Sequence, residues 1–146
     1  MHFDHEKLDV YKAALDLVAF AECIVAAMPP GRATLADQLR RAAGSVPANI
    51  AEGAGEFTRR DKARFSRIAR RSATECAAHI YVCMRLALTD AQKHQGCRAL
   101  LLRIVSMLTG MVLALAGQRR SNRQPPKPSG TGTGAPASRA GTEQAR

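Results

Sequence analysis

The chain has 146 residues, with twenty-two Lys and Arg against twelve Asp and Glu, a formal charge of +10 and no Trp. A chain of this length buries one modest core, which excludes a two-lobed enzyme with a cleft between domains. Aromatic residues make up only 4% while apolar residues make up 46%, a mix that favours helices over strands, which prefer aromatic and β-branched side chains.

The first periodic segment runs from about Lys7 to Met28, with Val10, Ala14, Leu17, Ala21, Ile24 and Met28 alternating steps of four and three. That is the stripe of a helix facing a bundle core. Pro29-Pro30-Gly31 ends it, because a proline disfavours helical geometry in the residue before it. A second helix is expected from Thr34, whose hydroxyl would cap it with Asp37, and its inward set is Leu35, Leu39, Ala42, Val46 and Ile50. Pro47 lies inside this segment and predicts a kink, since it lacks a backbone donor.

Gly53-Ala54-Gly55 closes the second segment, and Thr58 with Asp61 repeats the capping pattern for a third helix to about Leu88. Thr89 and Gln92 repeat it again for a fourth helix to about Gly117. The expected architecture is therefore all-α: an antiparallel up-down four-helix bundle over residues 1–118. Residues 119–146 contain no Leu, Ile, Val, Phe or Met and predict a disordered basic tail. Its Arg119, Arg120, Arg123 and Lys127 read either as a cationic arm or as a linker without a role.

The start has no basic region followed by an apolar run, so a cytoplasmic protein is expected. Cys23, Cys76, Cys83 and Cys97 form no C-x-x-C pair and are expected as free thiols.

Charge is unevenly distributed. Residues 1–30 carry two basic and five acidic groups, whereas residues 31–70 carry nine basic and four acidic groups. On a helical wheel Arg60, Arg64, Arg67 and Arg71 fall within about 60° of one another, with the apolar positions centred about 130° away. Such a row suits phosphate, because each guanidinium is permanently charged and presents a planar fork of donors. The plain alternative is a solvated face, but ordinary faces mix signs, and only Asp61 and Glu75 lie near this one. No aromatic interrupts the row, so base stacking is not expected and backbone contacts are. Arg59 precedes the row, and Arg40 and Arg41 join the candidate nucleic-acid contacts.

The fourth helix is apolar on every face from Ala99 to Gly117, apart from Arg103, Ser106 and Thr109. Arg103 leaves too short an uninterrupted run for a membrane span. A helix apolar all round needs cover on both sides, so a subunit interface is expected through Leu101, Val105, Leu108, Met111, Val112 and Leu115, with Gly110, Ala114 and Gly117 permitting close approach.

Catalytic patterns are thin. Cys76, His79 and Cys83 share one face and could join Cys23 around zinc, but the spacing is equally that of core residues. His2 and His5 are three apart at the terminus, which makes a weak metal pair. There is no phosphate loop, no H-E-x-x-H and no carboxylate cluster. Glu52 and Glu75 read as candidates for pairing with Arg40 or Arg41 rather than for catalysis. No enzyme activity, metal or cofactor is expected.

The run from Asp37 to Gly55, DQLRRAAGSVPANIAEGAG, is similar to the signature of the bacterial four-helix-bundle family named for the intervening sequences of large-subunit ribosomal RNA genes. Gln38, Leu39, Arg40, Arg41, Ala42, Ser45, Val46, Pro47, Asn49, Ile50, Ala51, Glu52 and Gly53 match it. The opening LDVYKAALDLV resembles the family's first helix, with Tyr11 where Trp is frequent. ARFSRIARRSATE resembles its third, with Arg71 where a small Gly is usual. The resemblance covers about residues 3–117.

It implies an antiparallel protomer that assembles into a homopentameric ring, with no enzymatic activity. The family is also similar to the accessory variability proteins of diversity-generating retroelements, whose basic pentamers bind nucleic acid and a reverse transcriptase. In the motif, Gln38, Ser45, Pro47, Asn49, Glu52 and Gly53 read as structural: Asn49 and Glu52 could satisfy carbonyls freed by Pro47 or pair with Arg40 and Arg41. The competing reading puts Arg40 and Arg41 on the binding surface.

Two function classes follow. One is a non-enzymatic oligomer that binds nucleic acid, RNA before DNA, through phosphate contacts, as an accessory to a reverse transcriptase. The other is a scaffold that binds only a protein partner.

Overall fold

A computed structural model describes the backbone of residues 1–121 and the side chains up to Gly117. A 3-10 turn, Asp4–Lys7, leads into four helices: α1 Asp9–Ala26, α2 Ala33–Gly55, α3 Arg59–Arg85 and α4 Ala91–Ser121. There is no strand among the described residues. Each helix packs on its neighbour in sequence, α4 closes against α1, and the diagonal pairs do not meet. This is the expected antiparallel four-helix bundle. α4 continues to Ser121, past the boundary expected at residue 118, and the rest of the expected tail lies outside the described residues.

The core follows the apolar periodicity. Val10, Ala14, Leu17, Ala21 and Ile24 from α1 meet Leu39, Ala42, Val46 and Ile50 from α2, and all are buried. α3 supplies Ala69, Ala73, Cys76, Ile80 and Cys83, and α4 supplies Cys97, Leu101, Ile104 and Leu108. Alanines dominate the α2–α3 side, so those two helices can approach closely. At Gly53 a Cβ would stand 2.9 Å from the Cβ of Phe65 on α3.

Helix N-caps differ from the expectations in two places. α2 begins at Ala33, after Arg32, with no side-chain cap. Thr34 is therefore already inside the first turn, where its hydroxyl cannot cap. α4 is capped by Asp90, whose Oδ1 accepts from the Lys93 N–H at 2.7 Å. Thr89, the expected cap, has its Oγ1 buried without a partner. The α3 cap is as expected: Thr58 Oγ1 accepts from the Asp61 N–H at 3.1 Å.

α3 stops at Arg85 rather than near Leu88. The Leu88 N–H donates to Cys83 O at 2.8 Å and the Ala87 N–H to Met84 O at 3.1 Å. Ala87 sits at φ 54°, in the left-handed region that usually takes glycine.

α2 runs unbroken through Pro47, which is buried. Pro47 leaves the Ala43 carbonyl without its helical donor. Asn49 does not serve that carbonyl: its Nδ2 donates to Ser45 O at 2.8 Å and lies 3.0 Å from Ser45 Oγ. Ser45 Oγ in turn lies 2.9 Å from Ser72 Oγ on α3. The motif's polar residues thus form a bridge between α2 and α3, while Glu52 is exposed and takes no part in it.

Candidate nucleic-acid interface

The α3 helix presents two faces. Ala63, Ser66, Ala69, Ala73 and Cys76 point into the bundle, and Arg60, Arg64, Arg67 and Arg71 are all exposed on the outside. Among the described residues, the only arginine in an ion pair is Arg40. The α3 row therefore faces solvent with its guanidinium groups unneutralised. Arg71, which replaces a small residue in the resemblance, also points outward and takes no core space.

Arg59, Arg60, Ala63 and Arg67 line a depression of about 80 Å³ floored by Leu115 and Ala116 of α4. A second, shallower depression follows along the helix, lined by Arg67, Arg70, Arg71, Thr74, Glu75 and Ala78. Arg67 lines both, so three arginines line each hollow, and the second also carries Glu75. The first, small and lined by three arginines with no acidic residue, suits a phosphate group, because planar donor forks match its oxygens. Arg70 is a member that the 100° spacing of the row does not pick out; its Nη1 donates to Thr109 Oγ1 at 3.3 Å and ties α3 to α4. The guanidinium of Arg64 lies 5.7 Å from the centre of the Phe65 ring.

The two motif arginines part company. Arg40 donates from Nε to Glu22 Oε2 at 2.9 Å and from Nη2 to Oε1 at 2.6 Å, a bidentate bridge to α1. The hydrogen bond from Arg40 holds the Glu22 carboxyl below its ordinary value. Arg40 thus pairs with Glu22, not Glu52, and sits at the α1–α2 seam away from the α3 row. Arg41 is exposed on α2. Gln38 is exposed, and its side chain makes no hydrogen bond among the described residues. Glu75 reaches His79 at 3.7 Å and no arginine.

The expected subunit-interface set splits in the same way. Leu101 and Leu108 are 3% and 0% exposed and belong to the bundle's own core. They face inward because α4 joins the core through Cys97, Leu101, Ile104 and Leu108, a four-three-four rhythm hidden within a helix that is apolar on every side. Val105, Met111, Val112 and Leu115 are half-buried, and Leu102 and Leu113, absent from the expected set, are 54% and 65% exposed. A Cβ at Gly110 or Gly117 would meet open space. α4 holds a stretch of mean hydropathy 2.1 within Ala91–Gly117, long and apolar enough to cross a membrane, of which only 17% is buried.

Beside it, Ala73, Ala77, Ile80, Leu101, Leu102 and Val105 line an apolar groove of about 250 Å³ between α3 and α4. The groove ends at Tyr81, whose hydroxyl accepts from Arg98 Nε at 3.1 Å. Tyr81 also packs edge-on against His94, with ring centres 4.9 Å apart.

Cys76, Cys83 and Cys97 lie together in the core, and Cys23 is exposed on α1. The residues considered for zinc are thus not assembled, and the described residues hold no group of three or more ligating side chains able to take a metal ion. Burial pushes the Cys76 thiol up to about 12 and the Cys97 thiol to about 11, which makes them poor nucleophiles at neutral pH. Phe57, which precedes the α3 cap, is 99% exposed; it lies outside the wheel of the row and so escapes a search for aromatics within it.

Comparison with known proteins gives a family and a related fold. The family described as 23S rRNA-intervening sequence protein matches residues 6–110. The fold is similar to a crystal structure of a protein with unknown function from the S23 ribosomal protein family of Bacteroides thetaiotaomicron. That likeness has a TM-score of 0.66 at 17% identity, and covers 70% of this chain and 97% of the other. No curated protein matches.

Proposed function

We propose that this chain, which belongs to the 23S rRNA-intervening sequence protein family, is a non-enzymatic, oligomeric nucleic-acid-binding protein that holds RNA in preference to DNA through phosphate contacts. The observation that carries this reading is the row Arg60, Arg64, Arg67 and Arg71, exposed on one face and free of acidic partners among the described residues. Arg59 adds a hollow of about 80 Å³ shared with Arg60 and Arg67, and Arg70 extends the open depression beside Arg67 and Arg71. Phosphate contact supplies most of non-specific nucleic-acid affinity and needs no further machinery.

Oligomerisation rests on the uncovered apolar side of α4. A soluble monomer gains nothing from exposing Leu102 and Leu113, whereas a second copy would cover them. Exposed Arg103 in mid-helix argues for a protein neighbour over lipid. The homopentameric ring and the role as accessory to a reverse transcriptase are what the resemblance adds to the proposal, and a cytoplasmic location is proposed with them.

The test is a salt titration of RNA binding by fluorescence anisotropy. A log–log slope lowered by about 0.7 to 0.9 for each phosphate contact removed is expected on replacing Arg60, Arg64, Arg67 and Arg71 by Ala, with melting unchanged because the side chains are exposed. Absence of binding at about 50 mM salt would remove the reading. Arg41→Ala separates its two roles: unchanged melting with weakened binding puts Arg41 on the binding surface.

A second reading, a scaffold that takes only a protein partner, is favoured by the α3–α4 groove. Its apolar walls and cationic end at Arg98 suit an acidic amphipathic segment. Association with an acidic amphipathic peptide and none with RNA at about 50 mM salt would select it.

A further inference from the structure

We propose that Phe57 is a stacking platform for one unpaired base, so that the nucleic acid on the α3 row is single-stranded, or splayed open, at the row's N-terminal end. The proposal rests on the nucleic-acid reading above and adds the class of ligand.

Phe57 is 99% exposed, and among the described residues its ring meets no other ring or cation. Other phenylalanines have neighbours: Phe65 lies against Gly53, Phe20 against Gly96, and Phe3 stacks on His5 at 5.5 Å. A single exposed apolar side chain is unremarked on most surfaces. Here its position gives it meaning, because it stands immediately before the one helix whose outer face is a row of arginines.

The backbone that carries the ring is held on a short bridge. Between the last residue of α2, Gly55, and the first of α3, Arg59, the connection is only Glu56, Phe57 and Thr58. Its ends are pinned, by the Glu56 N–H to Gly53 O at 3.4 Å and by the Thr58 cap on Asp61. Both flanking residues are extended, Glu56 at φ −74° and Thr58 at φ −92°. So short and pinned a bridge loses little backbone freedom on binding, which leaves only the two side-chain torsions of the ring to be fixed.

Reach and chemistry then select the ligand. Arg59 and Arg60 follow by two and three residues, so their Cα atoms lie no more than about 10 Å from that of Phe57. A phosphate in the hollow at Arg59, Arg60 and Arg67 brings a base of the same or the next nucleotide into range of the ring. Every base offers a π face, which makes such stacking sequence-tolerant. A continuous A-form duplex offers none, since its bases are stacked inside and its major groove is too narrow for side chains. The acidic groups nearby define the side of approach: Glu52 and Glu56 belong to the α2 side, and Asp61 is hydrogen-bonded by Thr58. The strand therefore enters along α3.

The test uses the full chain, a short oligouridine, and a blunt RNA duplex with the same number of phosphates, at one salt concentration. Phe57→Ala is expected to weaken oligouridine binding on the order of tenfold and to leave duplex binding and sedimentation unchanged. Because the chain has no Trp, Phe57→Trp installs a single reporter. Its emission is expected to be quenched by oligouridine and not by duplex, with affinity retained.

Equal losses on both RNAs with Phe57→Ala, or an unquenched Phe57→Trp that still binds oligouridine, would overturn the proposal. So would a change in sedimentation without a change in RNA binding, which would make the ring a contact between copies. An Arg60→Ala, Arg67→Ala double variant separates the two levels of argument. If it abolishes binding while Phe57→Ala does nothing, only the stacking role fails; if neither RNA binds the unmodified chain at about 50 mM salt, the nucleic-acid reading fails with it.

Discussion

Along the α2–α3 seam, Ala42, Ala43, Ala69 and Ala73 are each exposed by 3% or less, and the hydroxyls of Ser45 and Ser72 meet at 2.9 Å. On the outer side of α4, Leu102 and Leu113 are more than half exposed, and nothing among the described residues covers them. The first region has small side chains that fill their space and polar groups that find partners. The second has larger apolar groups in excess of what one bundle can bury. The family motif falls on the first region, so its Ser, Pro, Asn and Gly positions read as rules for joining two helices. The second region carries no such pattern, and its surplus apolar surface points to contacts outside the protomer.

Core and surface leucines on α4 give the widest separation. Leu108→Ala is expected to cost about 2–5 kcal/mol in chemical denaturation, whereas Leu113→Ala is expected to cost under about 0.5 kcal/mol in the protomer while weakening self-association in sedimentation. Equal losses would erase the distinction between the faces of α4.

Alkaline titration reaches the same core without a mutation. The folded Cys76 and Cys97 thiols sit at about 12 and about 11, above the ordinary 9.0, because burial disfavours the thiolate. The folded state thus holds these protons more tightly than the unfolded one. Stability is full below about pH 9 and falls as pH rises through 11, and near-neutral melting curves should not sense it.

At the seam, Gly53→Ala places a methyl against Phe65 and is expected to cost about 1–3 kcal/mol, read from urea midpoints. Ser45→Ala is expected to cost about 1 kcal/mol. A double-mutant cycle with Ser72→Ala should show coupling between the two; strict additivity would dissolve the bridge. The smallest effect runs the other way. Ala87→Gly relieves a left-handed residue at the α3 terminus and is expected to stabilise by up to about 1 kcal/mol, visible as a small rise in Tm.

How much of this was legible depended on phase. α1 and α2 alternate apolar and polar residues, so Val10 to Ile24 and Leu39 to Ile50 declared their inward faces, and the row on α3 declared its outward one. α4 is apolar on every side and has no phase to read, which is why Leu101 and Leu108 read as interface residues and lie in the core. Pairings across the fold were equally hidden. Arg40 finds Glu22 eighteen positions away, a distance at which sequence spacing carries no information about contact. Caps shifted, by one residue from Thr89 to Asp90 and by two from Thr34 to Arg32, where no side chain caps the helix. Phe57 was passed over because it belongs to a connection and not to a helical face.

The distribution of thiols has a practical meaning for work on assembly. Three of the four cysteines are sealed in the core and one, Cys23, stands exposed on the first helix. A maleimide dye at neutral pH should therefore mark each protomer once, without any engineered site. Energy transfer between like dyes would then count neighbours in solution, and would do so in the presence or absence of RNA.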